Sequence, residues 1–250
     1  MRCATGMRAE GSIAPENVRV QFRGADGSED ERLWGEASGE KLAQAAPWRV
    51  FRWHRGQRHF SGMYWSATER RHVPYESRLE LARLMFADFD PVVRRIAAQP
   101  FLLVAEVDGK LRRHVPDYLL LTDHGPVVVD VKPRSRWSDP TVAFTLGWAR
   151  SVVEAQGWRY EVAGEPSEVE LANVRFLAGY RREQLFGTEL LAELRAQDLT
   201  GATLGEAFRC LPSRSDASVR ASVLHLLWRQ ELLIDIARPL SPARLLRVRT

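Results

Sequence analysis

Two acidic residues and a lysine lie at the ends of two apolar segments in the middle of the chain. Asp117 begins the segment DYLLL, and Asp130 and Lys132 close the segment VVVDVK. Because side chains alternate between the two faces of a strand, Asp130 and Lys132 point the same way. Carboxylates bind Mg²⁺, and a neighbouring ammonium group can orient or deprotonate an attacking water or stabilise charge on a phosphate. The spacing predicts a site for metal-dependent hydrolysis of a phosphodiester.

The lysine is informative because the chain uses arginine almost everywhere else. It contains 33 arginines but only three lysines, at positions 41, 110 and 132. An ammonium group can lose its proton, whereas a guanidinium group stays charged. The same bias reduces the weight of arginine clusters. Four arginines that flank the two apolar segments are nevertheless candidate contacts to DNA phosphates: Arg112, Arg113, Arg134 and Arg136.

The charge distribution favours a polyanionic partner. The formal net charge is +4, with six arginines in residues 47–72 and eight in residues 209–250. Residues 47–72 also interleave aromatic residues with the arginines, which is typical of a nucleic-acid-binding surface. A hairpin with one aromatic face on the core and one basic face in water would give the same pattern. The two interpretations are compatible.

Composition excludes several other classes of protein. No apolar run approaches the roughly 20 residues of a membrane helix, and the N-terminus lacks the apolar segment of a signal peptide. Two cysteines cannot form a zinc site by themselves. We therefore expect a cytoplasmic protein with no membrane partner.

Hydrophobic periodicity predicts the elements that would position the site. A helix over residues 75–88 precedes strand-like segments at residues 92–99 and 101–107, a turn at Asp108-Gly109, and the two segments that carry the acids. We expect these strands to form a β-meander. A helix over residues 139–156 then leads to a further strand, WRYEVAG. The order predicts an α/β fold with a mixed sheet flanked by helices.

Three consecutive domains are expected along the chain. Residues 1–70 would form a β-rich N-terminal extension and residues 71–184 the core that carries the site. From residue 185 the chain changes to short helical segments followed by two strand-like segments, ELLIDIARPL and LLRVR. Residues 185–250 therefore predict a small helical, winged-helix-like module that binds DNA or a protein.

Glu80 in the predicted helix has two interpretations. Ser77 and Glu80 match the capping box, in which the glutamate bonds to the backbone at the helix start. The same carboxylate could complete a metal site with Asp117 and Asp130. Glu76 lies four residues earlier on the same side of the helix and is a further candidate for lining the site.

The segment from Tyr75 to Arg182 resembles the TnsA-like endonuclease subunits of heteromeric transposases, which belong to the PD-(D/E)xK nuclease superfamily. The residues that carry the resemblance are YESRLELARLMFADFDPVVRRIAAQPF, RRHVPDYLLL, VVVDVKP and ANVRFLAGYR. The resemblance favours the catalytic interpretation of Glu80, alongside Asp117, Asp130 and Lys132. It also places Gln99, in a Gln-Pro segment, at the wall of the site. Relatives carry Glu, Gln or Asp at the position of Asp130.

The resemblance implies a restriction-endonuclease-like fold and an Mg²⁺-dependent endonuclease, with Mn²⁺ as a substitute. Glu80, Asp117 and Asp130 would bind the metal, and Lys132 would act on the water or the phosphate. The implied role is nicking of double-stranded DNA at transposon ends. The implied partners are a DDE-type transposase, which acts on the other strand, and an AAA+ ATPase regulator.

Two other functions are kept open. A free-standing PD-(D/E)xK nuclease in defence or repair would cut DNA without partner proteins. A non-catalytic adapter that binds DNA or protein would keep the fold without the chemistry. The full set of Glu80, Asp117, Asp130 and Lys132 argues against the adapter.

Overall fold

A computed structural model describes Ile13 and residues 17–49 and 60–249. It shows a mixed α/β protein. The strands are β1 (Arg19–Arg23), β2 (Glu29–Leu33), β3 (Gly62–Ser66), β4 (Arg71–Tyr75), β5 (Val93–Ala98), β6 (Leu102–Val107), β7 (Lys110–His114), β8 (Tyr118–Thr122), β9 (Gly125–Val131), β10 (Arg159–Ala163), β11 (Leu232–Leu233) and β12 (Arg247–Val248). The helices are α1 (Gly39–Ala43), α2 (Arg78–Phe89), α3 (Pro140–Ala155), α4 (Glu168–Leu177), α5 (Thr188–Arg195), α6 (Leu204–Ala207) and α7 (Asp216–Trp228).

The chain divides into two compact units, each assembled from separate stretches of sequence. The first unit contains the described residues up to Tyr64 together with His72–Leu81 and Val92–Glu165. The second contains Trp65–Arg71, Ala82–Pro91 and the described residues from Pro166 onward. The three consecutive domains expected from the sequence stay a prediction.

Two four-stranded sheets form the framework of the first unit. One has the order β10-β9-β8-β5, in which β9 pairs antiparallel with β8, β8 pairs antiparallel with β5, and β10 runs parallel to β9. The other has the order β2-β1-β6-β7 and is antiparallel throughout. A parallel pair needs a crossover connection, and α3 provides it between β9 and β10.

The expectation of a single meander through β5 to β9 is wrong, because β6 and β7 leave the sheet. The chain changes direction at Gln99, which has a positive φ of 45° and is followed by Pro100. β6 then pairs with β1 instead of β5. The predicted turn at Asp108 and Gly109 is confirmed: both residues have positive φ and connect β6 to β7.

The core of the first unit gathers around Trp34. Its indole contacts the rings of Phe101 and Trp158 and donates a hydrogen bond of 2.9 Å to the carbonyl of Val152. Strand residues pack into the same cluster, as do residues of α3 that recur at helical spacing and are buried: Leu146, Ala149, Val152 and Val153. The predicted helix over residues 139–156 is confirmed, and Asp139 caps its start by accepting from the amides of Thr141 and Val142.

The second unit contains the helices α4 to α7 and the short pair β11 and β12. Its buried contacts include the rings of Phe89 and Trp228, whose centroids lie 5.3 Å apart. Asp88 accepts hydrogen bonds from the Ser66 hydroxyl and from the amides of Ala67 and Thr68. The predicted C-terminal helices and strand pair are present. The likeness to a winged helix stays a prediction.

Part of the aromatic and basic segment, residues 50–59, lies outside the described residues. The part that follows forms the two-stranded sheet of β3 and β4. Within the described ranges, none of the helices combines the length and the apolar character needed to cross a membrane. The cytoplasmic location stays a prediction.

Candidate active site

The four predicted site residues all belong to the first unit. Asp117 immediately precedes β8, Asp130 lies in β9, Lys132 directly follows β9, and Glu80 lies in the first turn of α2. The β8–β9 register pairs residue 118 with residue 129, so the two aspartates lie side by side at one end of the sheet. Glu80 is close enough to Asp117 for their charges to interact.

Asp117 is held by the strand that carries its partners. Its Oδ2 accepts a hydrogen bond of 2.6 Å from the amide of Val131 and lies 3.5 Å from Lys132 Nζ. Burial raises the pKa of Asp117; the charge of Lys132 opposes this shift, and the charge of Asp130 adds to it. Burial in the folded protein therefore disfavours the ionised form of this carboxylate.

The backbone of Lys132 is fixed on both sides. Its amide donates a hydrogen bond of 2.9 Å to the carbonyl of Ala163, at the end of β10. Its carbonyl accepts one of 2.9 Å from the indole of Trp137. The side chain keeps 32% of its surface exposed, so the ammonium group is accessible to solvent while it remains near Asp117.

Asp130 is completely buried, and within the described residues one of its two carboxylate oxygens has hydrogen-bond partners while the other has none. Oδ2 accepts a hydrogen bond from the Tyr160 hydroxyl and lies 2.8 Å from Nε2 of His114. Oδ1 is buried and has no hydrogen-bond partner among the described residues. A buried carboxylate oxygen without a donor is costly, so this oxygen is free to accept a cation or a donor that arrives with a ligand.

Tyr160 and His114 are contacts that sequence reasoning missed. Burial, and then the charge of Asp130, raise the pKa of Tyr160, so its hydroxyl stays protonated and donates. Tyr160 comes from β10 and His114 from β7, so they reach Asp130 from different sheets. No sequence pattern predicts either contact. The contact of Tyr160 depends on the parallel β9–β10 register, and that of His114 depends on how the two sheets pack.

Glu80 makes the contacts of a helix cap. Its carboxylate accepts hydrogen bonds of 3.0 Å from the Ser77 hydroxyl and 2.7 Å from the amide of Glu76, and its own amide donates to Ser77 Oγ. Burial, followed by the charge of Asp117, raises the pKa of Glu80 to about 7. The capping interpretation is thus confirmed as a set of contacts, and the same carboxylate lies in the electrostatic field of the site.

Gln99 and Glu76 lie beside these residues. The amide of Gln99 donates a hydrogen bond of 2.9 Å to the carbonyl of Asp117. Gln99 adopts its positive φ while buried, and its side-chain Oε1 lacks a hydrogen-bond partner in the described part of the chain. Strained, buried polar residues cluster at functional sites. The carboxylate of Glu76 instead turns toward Arg49, at 3.6 Å.

The four candidate phosphate contacts separate into two pairs. Arg134 stacks over Trp137, and its amide donates to the carboxylate of Glu165. Arg136 lies 3.6 Å from the carboxylate of Asp139. Among the residues that the structure describes, neither Arg112 nor Arg113 is paired with an acid. The guanidinium group of Arg134 contacts the backbone carbonyl of Glu165, and its charge interacts with the Glu165 carboxylate. The charges of Arg112 and Arg113 are therefore the less neutralised ones.

The carboxylates are neighbours, but they are not arranged as a ready-made chelate. In the described ranges, no group of three or more His, Cys, Asp or Glu side chains has the arrangement of a metal-binding cluster.

No protein-family model matches the chain, and no curated protein matches it. The resemblance to TnsA-like endonucleases therefore rests on the motifs themselves.

The raised pKa of Glu80 predicts a pH dependence of stability. Its pKa in the folded protein lies above the ordinary value of 4.5, so folding favours the protonated form. This stabilisation is complete below about pH 4.5 and is lost as the pH rises through about 7. In EDTA, the free energy of unfolding should fall between pH 5 and 8 by roughly 2 kcal/mol more in the wild type than in Glu80→Gln.

Glu206→Gln is the matched control for this measurement. Glu206 forms a capping box with Thr203 at the start of α6, but hydrogen bonds hold its pKa below its ordinary value. Its substitution should leave the slope between pH 5 and 8 unchanged. Urea denaturation at several pH values measures both variants, and equal slopes for Glu80→Gln and wild type would refute the assignment.

Tyr160→Phe should destabilise the protein, because it removes the hydroxyl that donates to the buried Asp130. The expected loss in the free energy of unfolding is about 1–3 kcal/mol. Tyr75→Phe is the control and should be nearly neutral, since the Tyr75 hydroxyl has no hydrogen-bond partner within the described residues. Chemical denaturation in the Asp130→Ala background completes a double-mutant cycle. An unchanged loss in that background would show that the bond to Asp130 contributes nothing.

Proposed function

We propose that this protein is a metal-dependent DNA endonuclease of the PD-(D/E)xK type. One observation carries the proposal: Asp117, Asp130 and Lys132 meet at one end of a sheet, and a buried oxygen of Asp130 lacks a hydrogen-bond partner among the residues that the structure describes. A structural ion pair alone would account for Asp117 and Lys132. It would not account for a second, buried carboxylate with an unsatisfied oxygen beside them.

The order of elements supports a restriction-endonuclease-like fold. Helix α2 is followed by β5, which pairs antiparallel with β8, and β8 pairs antiparallel with β9. Helix α3 then connects β9 to β10, which pairs parallel with β9. The hairpin of β6 and β7 is an insertion between β5 and β8 in this order. The acid–x–lysine pair falls at the end of the central strand β9, where strand termini leave room for a substrate.

The donor set fits Mg²⁺. Hard oxygen ligands from a few carboxylates are what Mg²⁺ uses in nucleotide-processing sites, and the remaining positions go to water and to phosphate oxygens. Asp117 and Asp130 would hold the ion, with Glu80 acting directly or through a water. A bound ion would also lower the cost of three neighbouring negative charges, two of which have raised pKa values. Mn²⁺ should substitute.

A divalent ion at this place would neutralise charge on the phosphate and acidify a water molecule. The protein's own residues do the rest. Lys132 lies next to Asp117, so its ammonium group can hold the attacking water in line or donate to a phosphate oxygen. Attack of the water on phosphorus breaks the bond to the leaving oxygen, which takes up a proton. Tyr160 and His114 position Asp130 and do not touch the reacting atoms.

The biological setting of the proposal comes from the resemblance of residues 75–182 to TnsA-like subunits. We propose that the protein nicks double-stranded DNA at the ends of a transposon. A DDE-type transposase would cut the other strand, and an AAA+ ATPase would regulate the complex. Cleavage by the isolated protein can be weak if assembly completes the site.

The proposal predicts that Asp117→Asn and Lys132→Ala each lower strand nicking by about 100-fold or more. Lys132→Arg should fail as well, because a guanidinium group keeps its proton and has a different shape. Asp123→Asn is the matched control, since Asp123 lies just beyond the opposite end of β8 and is paired with Arg94. The measurement is strand-specific nicking of a labelled element end in Mg²⁺ or Mn²⁺, with and without the partner proteins.

Each outcome selects between functions. Nicking that survives in Asp117→Asn and Lys132→Ala would show that the site is assigned wrongly. Efficient cutting by the isolated protein, equal with and without partners, would favour a free-standing nuclease. Calorimetry that finds no Mg²⁺ or Mn²⁺ binding dependent on Asp117 would favour a non-catalytic adapter.

A further inference from the structure

A cleft of about 530 Å³ lies between β7 and α3 in the first unit. The strand contributes charged residues, and the helix contributes hydroxyl groups and aromatic rings. The principal lining residues are Arg112, Arg113, Thr141, Phe144, Thr145 and Trp148. Among the described residues that line the cleft, none is acidic. The cleft is therefore positively charged on the strand side and lined by hydroxyl groups and aromatic rings on the helix side.

Arg112 is the central cation of this cleft. Its guanidinium group lies 5.1 Å from the centroid of the Phe144 ring, and its Nε is buried without a hydrogen-bond partner in the described part of the chain. Stacking on an aromatic ring orients a guanidinium group without neutralising its charge. Arg94 shows the contrasting case, because its guanidinium group is bonded to both carboxylate oxygens of Asp123.

The cleft adjoins the candidate active site through shared residues. Arg112 and His114 are two apart on β7 and so lie on the same side of the strand. His114 contacts Asp130 with one ring nitrogen, and its ring meets the edge of Trp148 at 5.9 Å between centroids. Trp148 also lines the cleft. A ligand in the cleft would therefore lie beside the group that holds Asp130.

We propose that this cleft binds a backbone phosphate of the DNA, next to the phosphate that is cut. Arg112 would make the main contact, with help from Arg113 and the exposed Thr141, while the Phe144 ring faces the sugar and the buried Trp148 forms the floor of the cleft. This inference rests on the proposed nuclease function, and it selects one pair from the four arginines that the sequence left equivalent. Cations on the edge strand β7 could instead only prevent pairing with other chains, which requires no bound phosphate.

Equilibrium DNA binding tests the cleft without any cleavage. The probe is a short fluorescein-labelled duplex, followed by anisotropy in EDTA and again in Ca²⁺ over a series of salt concentrations. Arg112→Gln should lower the affinity roughly fivefold at low salt and reduce the slope of log K against log salt by about one. Arg112→Lys should restore the slope, since it restores the charge. Arg94→Gln, the matched control, should leave affinity and slope unchanged.

Thr141→Val guards against a folding defect, because Thr141 is exposed on the helix surface. It should weaken binding about twofold without changing the slope, since it removes a neutral contact. Thermal melting of every variant establishes that each is folded. If Arg112→Gln loses stability, Arg113→Gln replaces it, because that side chain is exposed.

The results separate this inference from the proposed function. DNA binding that depends on Arg112 in a protein that never nicks would keep the cleft and overturn the nuclease. The opposite result is also informative. If nicking depends on Asp117 and Lys132 but Arg112→Gln binds DNA as Arg94→Gln does, the nuclease function stands and the phosphate site in the cleft is refuted. Failure of the wild type to bind the duplex at low salt would also overturn the cleft.

Discussion

The buried carboxylate of Asp130 is the constraint on which the rest of the first unit depends. A charge taken out of water must be compensated by hydrogen bonds or by a cation. Oδ2 is compensated by Tyr160 on β10 and His114 on β7, which belong to different sheets. Both sheets must therefore be assembled before the site exists. The parallel pairing that brings Tyr160 into place requires the crossover helix α3, and α3 in turn packs Trp148 against His114.

Two carboxylates of the candidate site have raised pKa values. Burial raises the pKa of both Glu80 and Asp117, so in the free protein the ionised forms of these groups are disfavoured. Lys132, at 3.5 Å and with part of its surface in water, offsets the charge of Asp117, as do the amide of Val131 and the charge of His114 to a smaller extent. Lys132 forms an ion pair with Asp117, while Oδ1 of the neighbouring Asp130 has no hydrogen-bond partner in the described part of the chain. Under the proposed function, a bound divalent ion would stabilise the ionised carboxylates and thereby the folded protein.

The sequence predicts those features of the fold and the site that depend on residues close together along the chain. Apolar runs and turn residues predicted β8, β9, α2 and α3, and adjacent strands brought Asp117 beside Asp130 as expected. The departure of β6 and β7 to another sheet was not predictable, because the alternation of a strand is the same whichever partner it pairs with. His114 was hidden for the same reason, since its contact crosses between sheets. The four flanking arginines look equivalent in sequence, and only their contacts to acids separate them.

Glu80 shows why a structural and a chemical role need not exclude each other. A carboxylate in the first turn of a helix is stabilised by the free amides and by the helix dipole, and Glu80 makes such contacts with the amide of Glu76 and the hydroxyl of Ser77. These contacts lower its pKa, yet burial and the charge of Asp117 outweigh them and leave it near 7. The cap fixes where the carboxylate lies, and burial fixes how readily it gives up its proton. Because each carboxylate oxygen accepts a single hydrogen bond in the cap, a lone pair remains on each for a cation or its water. The carboxylate that caps the start of α2 is thus the same group whose pKa burial and Asp117 raise.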